Sequence, residues 1–401
     1  MKKSGKRQPK ILYFDYAATA PITASAEKAM KLAYGSSFGN PGSIHRAGMN
    51  ASALLDKARE TVALSLGGDF SGIVFTSSAT EANNLVIRGV AKKYMVRRRT
   101  ESFGLPARVI ISAAEHESVD RMAEKLSEEG TEVIRVPVYK NGKVNIKALK
   151  EALNERTVVV SLIFVNNETG AVNDVLKVSE IIKEKKKGEY PIFHVDASQA
   201  FQYEDCSFNS TGADVITLSS HKIGGPKGAG AACFRNNAIT RLVEPITYGG
   251  GQEFGMRSGT ENVPAISGFA VAIKEADSLR NKEIKRVSAL KKILIREIER
   301  LVPKAEVNGP ELEESSPHIL NVWLPGISAE EIIVAMDMEG SAISYGSACS
   351  ARAFRQSRIL RAMGHKENRA RESVRISLGR ETKMEDIRKF VIIFKKVIAK
   401  F

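Results

Sequence analysis

The chain of 401 residues has few cysteines and no long apolar run. Its three cysteines, Cys206, Cys233 and Cys349, are an odd number without CxxC spacing, so we expect neither a disulfide framework nor a bound metal. The longest apolar stretch, 158–165, is interrupted by Ser161 and is far shorter than the roughly 20 residues of a membrane-spanning helix. We therefore expect a cytoplasmic protein that does not enter a membrane.

We also expect no secretory signal, because the basic N-terminal residues are followed at once by a strand-like segment. The net charge of +14 is compatible with nucleic acid, acidic small molecules or an acidic partner. The basic runs 97–99 and 185–187 lie at the ends of amphipathic helical patterns, and no nucleic-acid-binding module accompanies them. We interpret these runs as solvated faces and expect no specific nucleic-acid binding.

Between about residue 50 and residue 235 the sequence alternates helix-period stretches with short β-rich runs. The runs are 73–76, 108–112, 132–136, 158–165, 192–196, 214–219 and 231–235. This alternation predicts an α/β fold with a mainly parallel sheet and helices on both faces. In such sheets ligands bind at the carboxyl ends of the strands.

The pattern changes after the glycine-rich segment 248–262. A long charged helical region over about 265–302 is followed by a strand-like run at 318–324, a helix-like stretch and a second strand-like run at 374–379. This order predicts a smaller α+β unit.

Three polar clusters directly follow predicted strands. After 73–76, Ser78 and Glu81 have capping-box spacing, so a helix is expected to start there. The free N–H groups of this helix start, together with Thr80, form a potential phosphate site. Capping alone explains the pattern equally well. Asp196 ends an apolar strand, where a carboxylate needs a partner such as a cationic ring nitrogen. Lys222 ends another strand, a setting that favours its neutral amine and hence a Schiff base. An acid and a lysine of this kind are what pyridoxal phosphate requires.

The motifs around these residues resemble the class V aminotransferase family, and more narrowly its cysteine desulfurases of the NifS/IscS type. The similar segments, in order along the chain, are FDYAATAP (14–21), FGNPGSIHRAG (38–48), FTSSATEANN (75–84), AAEHESV (113–119), VNNETGAV (165–172), GGGQEFGMRSGT (249–260), ILNV (319–322), YGSACSA (345–351) and RISLGR (375–380). The resemblance implies the fold of pyridoxal-phosphate-dependent transferases of aspartate aminotransferase type. It also implies a homodimer in which each chain has a large cofactor-binding domain, 27–264, and a small domain, 1–26 with 265–401, that carries the catalytic cysteine loop.

The resemblance further implies catalytic roles for three residues: Lys222 holds the cofactor and moves a proton, His116 stacks on the ring and acts as acid or base, and Cys349 accepts sulfur. Asp196 would keep the ring nitrogen protonated, and Gln199 would hydrogen-bond the phenolic oxygen. The implied phosphate ligands are Ala79, Thr80, Ser219, His221 and Thr260, the last from the partner subunit. The implied contacts to the substrate are Asn40, Asn167 and Arg375, whose planar guanidinium suits a carboxylate.

The reaction implied by the resemblance converts L-cysteine to L-alanine and leaves the sulfur on Cys349 as a persulfide. A scaffold or sulfur-carrier protein would then take the sulfur for iron–sulfur clusters or other sulfur-containing products. Arg352, Arg355 and Arg358 favour the thiolate that this step needs. The segment after Cys349 reads ARAFRQS where relatives often read SGSLEPS, so the acceptor stays open. Alternatives are selenocysteine lyase activity, transamination that leaves Cys349 idle, and a non-enzymatic binding scaffold.

Overall fold

The computed structural model describes residues 11–100, 106–346 and 356–401. The strands in these ranges are β1 (Leu12–Tyr13), β2 (Ile73–Thr76), β3 (Arg108–Ser112), β4 (Glu132–Val136), β5 (Thr157–Ile163), β6 (Ile192–Asp196), β7 (Val215–Ser219), β8 (Gly230–Phe234), β9 (Glu306–Val307), β10 (Ile319–Trp323), β11 (Ser341–Ala342) and β12 (Ser373–Ser377). The helices are α1 (Ala24–Ser36), α2 (Arg46–Leu66), α3 (Ala79–Thr100), α4 (Glu117–Glu128), α5 (Ile146–Ala152), α6 (Val175–Lys185), α7 (Phe208–Thr211), α8 (Asn237–Thr240), α9 (Val263–Leu301), α10 (Ala329–Met338), α11 (Arg358–Ala362), α12 (Glu367–Arg371) and α13 (Met384–Ile398).

Seven strands form one sheet in the order β2-β8-β7-β6-β5-β3-β4. Strand β8 runs antiparallel to both of its neighbours, and the other adjacent pairs are parallel, which confirms the expected mainly parallel sheet. The predicted strand 158–165 is too long by two residues at its end, because the chain turns after Ile163 and Val165 pairs with Val172.

Both faces of this sheet are covered by helices. Ile73 and Phe75 of β2 point into one apolar cluster with α2, α5, α6 and the first half of α9, whereas Val74 points into another cluster with α3 and α4. The alternation follows from the period of two residues in a β-strand. Because both faces are covered, the central strands β5 to β8 are buried along their whole length and are mainly apolar.

The rest of the chain forms the expected second α+β unit. Strands β12, β10 and β9 make an antiparallel sheet in that order, and β1 pairs with β11 in parallel. The apolar residues of this sheet pack with α10, α13 and the second half of α9. The division of the chain at residue 264 stays a prediction.

Helix α9 contributes to both apolar cores. Phe269 and Ile273 belong to the core of the seven-stranded sheet, and Leu290 and Leu294 belong to the core of the three-stranded sheet. In the part of the chain that the structure describes, no helix combines the length and apolar character needed to cross a membrane.

Candidate active site

A cavity of about 200 Å³ lies where β6 and β7 end. Ten of the residues predicted for the site line it: Ala79, Thr80, His116, Asn167, Asp196, Gln199, Ser219, His221, Lys222 and Arg375. The structure thus brings together side chains that are up to 296 positions apart in the sequence, from Ala79 to Arg375. Their roles remain predictions, but their proximity is a property of the fold.

Three predicted site residues are not among those that line the cavity. Asn40 is exposed, and its Oδ1 accepts a hydrogen bond from the Gly42 N–H at 2.9 Å. Thr260 is also exposed on this chain. Cys349 lies outside the residues that the structure describes.

Asp196 presents a buried carboxylate to the cavity. Its Oδ2 accepts a hydrogen bond from Asn83 Nδ2 at 2.8 Å, and its Oδ1 accepts one from the Ser198 N–H at 3.0 Å. Both donors are neutral. A charged carboxylate in such a place is stabilised further by a cationic ligand group.

His116 is the N-cap of α4 and lines the same cavity. Its Nδ1 accepts from the Ser118 N–H at 3.1 Å, so the ring proton is on Nε2. Burial lowers the pKa of His116 despite the opposing influence of Asp196, which favours the neutral ring. Ser118 Oγ also accepts from Asn83, so a continuous set of hydrogen bonds connects His116 to Asp196. Sequence reasoning assigned no role to Asn83 or Ser118, although each lies within one of the similar motifs.

Lys222 closes a 3₁₀ turn that follows β7. Its Nζ donates to the backbone carbonyls of Ala17 at 2.6 Å and Ala18 at 2.8 Å. The tight bend after it depends on glycine, because Gly224 has φ of +86° and a Cβ on Gly225 would lie 2.2 Å from Ser220 Oγ. The lysine amine is therefore held at the cavity wall by backbone atoms.

Another part of the cavity wall is the start of α3, where Ala79 and Thr80 lie. Ser78 Oγ accepts from the Glu81 N–H at 3.2 Å, as expected for a cap, but the Glu81 carboxylate accepts from Ser77 and pairs with Arg257 at 3.0 Å. A Cβ on Gly230 would lie 2.6 Å from the Ser78 carbonyl carbon, so β8 needs glycine where the helix start meets it. A helix start of this kind binds anions through its free N–H groups.

His221 lines the same cavity, and its Nδ1 forms a hydrogen bond with Thr19 Oγ1 at 3.1 Å. Burial, with help from Lys222 and Lys227, lowers the pKa of His221 to about 4. The ring is therefore neutral at neutral pH.

Arg375 occupies the middle of β12 and is only 1% exposed. Its Nη1 donates to the Asn167 carbonyl at 2.8 Å, and its Nη2 pairs with Asp15 Oδ1 at 2.8 Å. Within the described residues, Arg375 Nε and Asn167 Oδ1 are buried without a hydrogen-bond partner. Buried polar atoms normally have partners, so these two are sites where a ligand is expected to bind.

Two buried acids near the cavity were missed by sequence reasoning. Burial raises the pKa of Glu115 well above its ordinary value, and it raises the pKa of Glu168 as well. Glu115 Oε1 accepts from the Ile163 N–H at 2.9 Å, and Glu168 accepts from Ser357 Oγ. The only signal for them was the presence of both glutamates inside motifs that match the family.

Arg358, which was expected to help form the thiolate of Cys349, contacts three of the described residues. Its guanidinium donates to the carbonyls of Ala113 at 2.5 Å and Glu115, and pairs with Asp120 at 3.1 Å. Arg352 and Arg355 lie outside the described residues. The other two cysteines are inert by burial, which raises the thiol pKa of both Cys206 and Cys233.

Comparison with known proteins gives matches over nearly the whole chain. A family model described as aminotransferase class-V matches residues 12–390. A putative cysteine desulfurase IscS 1 of Bacillus subtilis is 36% identical over 378 residues, which are 94% of this chain and 96% of that protein. A solved structure described as a NifS-like protein has a TM-score of 0.88 and 31% identity, covering 98% of this chain and 100% of the other. A structure described as SspA in complex with cysteine has a TM-score of 0.76 and 31% identity, covering 91% and 98%.

Proposed function

The chain belongs to the class V aminotransferase family, and from this premise we propose that it is a pyridoxal-phosphate-dependent cysteine desulfurase that converts L-cysteine to L-alanine. Relatives named as cysteine desulfurases match it over most of its length, and NifS-like structures share its fold, so the expected transferase fold is confirmed. The observation that carries the proposal is the presence of Lys222 and Asp196 in one cavity.

The cavity fits pyridoxal phosphate by the chemistry of its donors. Asp196 is hydrogen-bonded by neutral groups and suits a protonated ring nitrogen. Among the described atoms, Ser198 Oγ and Asn167 Oδ1 are buried at the cavity without partners, as expected where a polar ligand belongs. The start of α3 provides free N–H groups for a phosphate.

We propose that Lys222 Nζ binds the aldehyde carbon of the cofactor, while Asp196 holds the ring nitrogen and Gln199 the phenolic oxygen. Ala79, Thr80, Ser219 and His221, with Thr260 of the partner subunit, would bind the phosphate. When bound, pyridoxal phosphate supplies an electron sink for negative charge on the substrate. Since His221 is neutral near pH 7, it would contribute a hydrogen bond and not a full positive charge.

The substrate carboxylate is assigned to Arg375 and Asn167, with Asn40 as a proposed further contact. Arg375 uses Nη1 and Nη2 for Asn167 and Asp15, which fix the plane of its guanidinium. A fixed, fully charged donor orients a carboxylate with little further loss of conformational entropy. Asp15 therefore acts by positioning Arg375.

Two groups of the cavity are suited to proton transfer. Lys222 Nζ, held between two carbonyls, would take the proton from the substrate carbon and return one to product. His116 has an Nε2–H and a lowered pKa, so it serves as a neutral donor or acceptor at neutral pH.

The sulfur step is assigned to Cys349. Its thiolate would attack the sulfur of cysteine, and the carbon–sulfur bond would break with its electron pair left on carbon. That carbon takes up a proton and becomes the methyl group of alanine, and the new sulfur–sulfur bond leaves a persulfide on Cys349. An acceptor protein would remove this sulfur.

A homodimer is part of the proposal, because Thr260 serves the phosphate only if a second copy is present. Exposed apolar side chains support it: Leu32, Tyr34, Phe38, Ile44 and Met49 lie within one segment of 18 residues, and Tyr248 and Phe254 lie in the segment that precedes Thr260. Such exposure is typical of an interface. The homodimer is tested by measuring the molecular mass of the protein in solution. A monomer with full activity would contradict it. The cytoplasmic location stays a prediction.

The function is tested by adding L-cysteine to the cofactor-loaded protein and measuring alanine and sulfide. We expect Lys222→Ala to lower turnover at least about a thousandfold, since both the bond to the cofactor and the proton transfer are lost. Cys349→Ser is expected to lose turnover but to keep the absorption of the lysine-bound cofactor. The double variant of Cys206→Ala and Cys233→Ala is the matched control, and it should retain activity.

Each alternative corresponds to a distinct result of this experiment. Full alanine production by Cys349→Ser contradicts the sulfur step. Amino transfer to a keto acid without sulfide release supports a transaminase, and faster turnover of selenocysteine than of cysteine supports a lyase. Protein that stays colourless with added pyridoxal phosphate contradicts the cofactor and favours a scaffold.

A further inference from the structure

Gln199 lies between two cavities. One is the main cavity of about 200 Å³, and the other is a smaller cavity of about 40 Å³ that is also lined by Tyr16, Tyr203 and His318. Because Gln199 borders the smaller cavity, its side chain has room to rotate away from the main cavity unless hydrogen bonds hold its amide. What holds the amide therefore decides which atom it offers to the main cavity.

The orientation of the Gln199 amide follows from its partners. Nε2 donates to the Ala17 carbonyl at 2.8 Å, and a carbonyl oxygen only accepts, so this atom is the nitrogen. Oε1 then faces His318 Nε2 at 3.2 Å, which requires a proton on that imidazole nitrogen. The second N–H of Gln199 remains for a group in the main cavity.

The tautomer of His318 is fixed from its other side. Ser316 Oγ lies 2.7 Å from His318 Nδ1 and donates to it, since the ring proton is on Nε2. The Tyr203 ring stacks on the imidazole with centroids 4.5 Å apart. Burial, and then the charges of Lys291, Arg375 and Lys222, lower the pKa of His318 to about 3, so the ring stays neutral.

We propose that His318 is a positioning residue of the cofactor site, whose Nε2–H holds Gln199 so that its amide nitrogen serves the cavity. The proposal rests on the proposed function, in which Gln199 contacts the phenolic oxygen of pyridoxal phosphate. His318 would act only through Gln199. Its loss should therefore alter the cofactor's affinity and acid–base behaviour, and not only the rate of the reaction.

The test compares His318→Phe, which keeps an aromatic ring against Tyr203, with His318→Gln, which keeps an N–H donor. The measurements are the dissociation constant of pyridoxal phosphate and the pH titration of its absorption in the loaded protein. One neutral hydrogen bond corresponds to about a two- to tenfold change in an equilibrium constant. We expect a change of this size in both measurements for His318→Phe and largely restored values for His318→Gln.

A double variant separates positioning from a purely structural effect. Gln199→Ala alone should change both measurements at least as much as His318→Phe, and adding His318→Phe to it should change nothing further. Tyr203→Phe keeps the stacked ring and loses only the hydroxyl. In this control variant the dissociation constant of pyridoxal phosphate and the pH titration of its absorption should equal those of the wild type.

The proposal is overturned if His318→Phe binds and titrates the cofactor like the wild type, or if its effect persists undiminished in the Gln199→Ala background. Wild-type protein that does not bind pyridoxal phosphate overturns the proposed function instead. If the phenylalanine variant does not fold, Ser316→Ala replaces it, since it frees Nδ1 of the same ring. For Ser316→Ala both measurements should then change in the same direction as predicted for His318→Phe, by about twofold. If neither measurement changes, the proposal is contradicted.

Discussion

The two sheets contribute to the cavity in different ways. The seven-stranded sheet supplies groups from the ends of its strands, as with Asp196 at the end of β6 and Lys222 after β7, and holds them by neutral or backbone partners. The three-stranded sheet supplies Arg375 from the middle of β12, where the guanidinium is buried and paired with Asp15. Strand ends thus present reactive groups, and a strand interior presents a fixed binding charge.

This difference predicts that the two sheets affect different kinetic constants. We expect changes at the ends of the large sheet's strands to act mainly on kcat, because these groups face charge that develops during the reaction. Changes at Arg375 should act mainly on KM, since the substrate carboxylate keeps its charge throughout.

After Lys222→Ala, the largest effect is expected for Asp196→Ala. Removing the carboxylate should lower kcat at least about a hundredfold and change KM for cysteine less than about threefold. Steady-state alanine production measures both. Asp214→Ala is the matched control, because Asp214 lies at the amino end of β7 and accepts from the Phe193 N–H. A rise in KM with an unchanged kcat would contradict the assignment of Asp196 to the reaction step.

The next effect is that of Arg375→Lys, which keeps the charge but loses the planar pair of donors. It should raise KM for cysteine about tenfold or more, with a smaller effect on kcat. Arg369→Lys provides the control on the same unit, since Arg369 stacks on Trp323 and pairs with Glu306 outside the cavity. If the kcat of Arg375→Lys falls more than its KM rises, the arginine acts in the reaction step.

A smaller effect, on stability, concerns a second buried basic side chain of the unit that contains the three-stranded sheet. Lys291 is 2% exposed and donates to Ser315 Oγ at 2.7 Å and the Ser316 carbonyl at 2.9 Å. Burial lowers its pKa from 10.5 to about 7. Between these values the unfolded chain binds more protons than the folded one, so this group makes stability rise with pH over that interval.

Replacing Lys291 with Met should therefore remove up to about 1.4 kcal/mol per pH unit from the rise in the free energy of unfolding above pH 7. Urea unfolding of the variant and the wild type at pH 7, 8 and 9 measures the difference. Lys292→Met, an exposed neighbour on α9, is the control. Parallel pH profiles for wild type and Lys291→Met would show that the buried amine does not titrate in this range.

The smallest effect is expected for Lys389→Ala on the surface of α13. Lys389 pairs with Glu385 at 2.5 Å, but both side chains are more than half exposed. Exposed pairs of this kind contribute little, so Tm should stay within about 1 °C of the wild type. A drop of several degrees would mean that exposed charges stabilise the small unit as well as buried ones do.

The sequence allowed much of the fold to be predicted where local patterns decide the structure. The strands at 73–76, 108–112, 132–136 and 192–196 have the predicted limits, because each is a short run rich in β-branched or aromatic residues. Strand β1 lies within the strand-like segment that follows the basic N-terminus, but β11 was not predicted, since it has two residues and forms only by pairing with β1 across more than 300 positions.

The same reason explains what was missed at the site. The motifs identified the residues that line the cavity, but not the groups that hold them, such as Asp15 for Arg375 or His318 for Gln199. These contacts join segments more than 100 positions apart, and no spacing rule relates them. Roles that rest on the family motifs, including those of Asn40 and Cys349, stay predictions.

The 39 residues of α9 form a rod of about 58 Å whose two halves pack into different cores. If the chain is cut within α9, each fragment lacks part of the helix that packs against its apolar core, so neither fragment should be stable when expressed alone. A protease that cleaves α9 would inactivate both units at once. Heat should likewise melt the two cores in one cooperative transition, because neither can lose its share of the rod without disturbing the other.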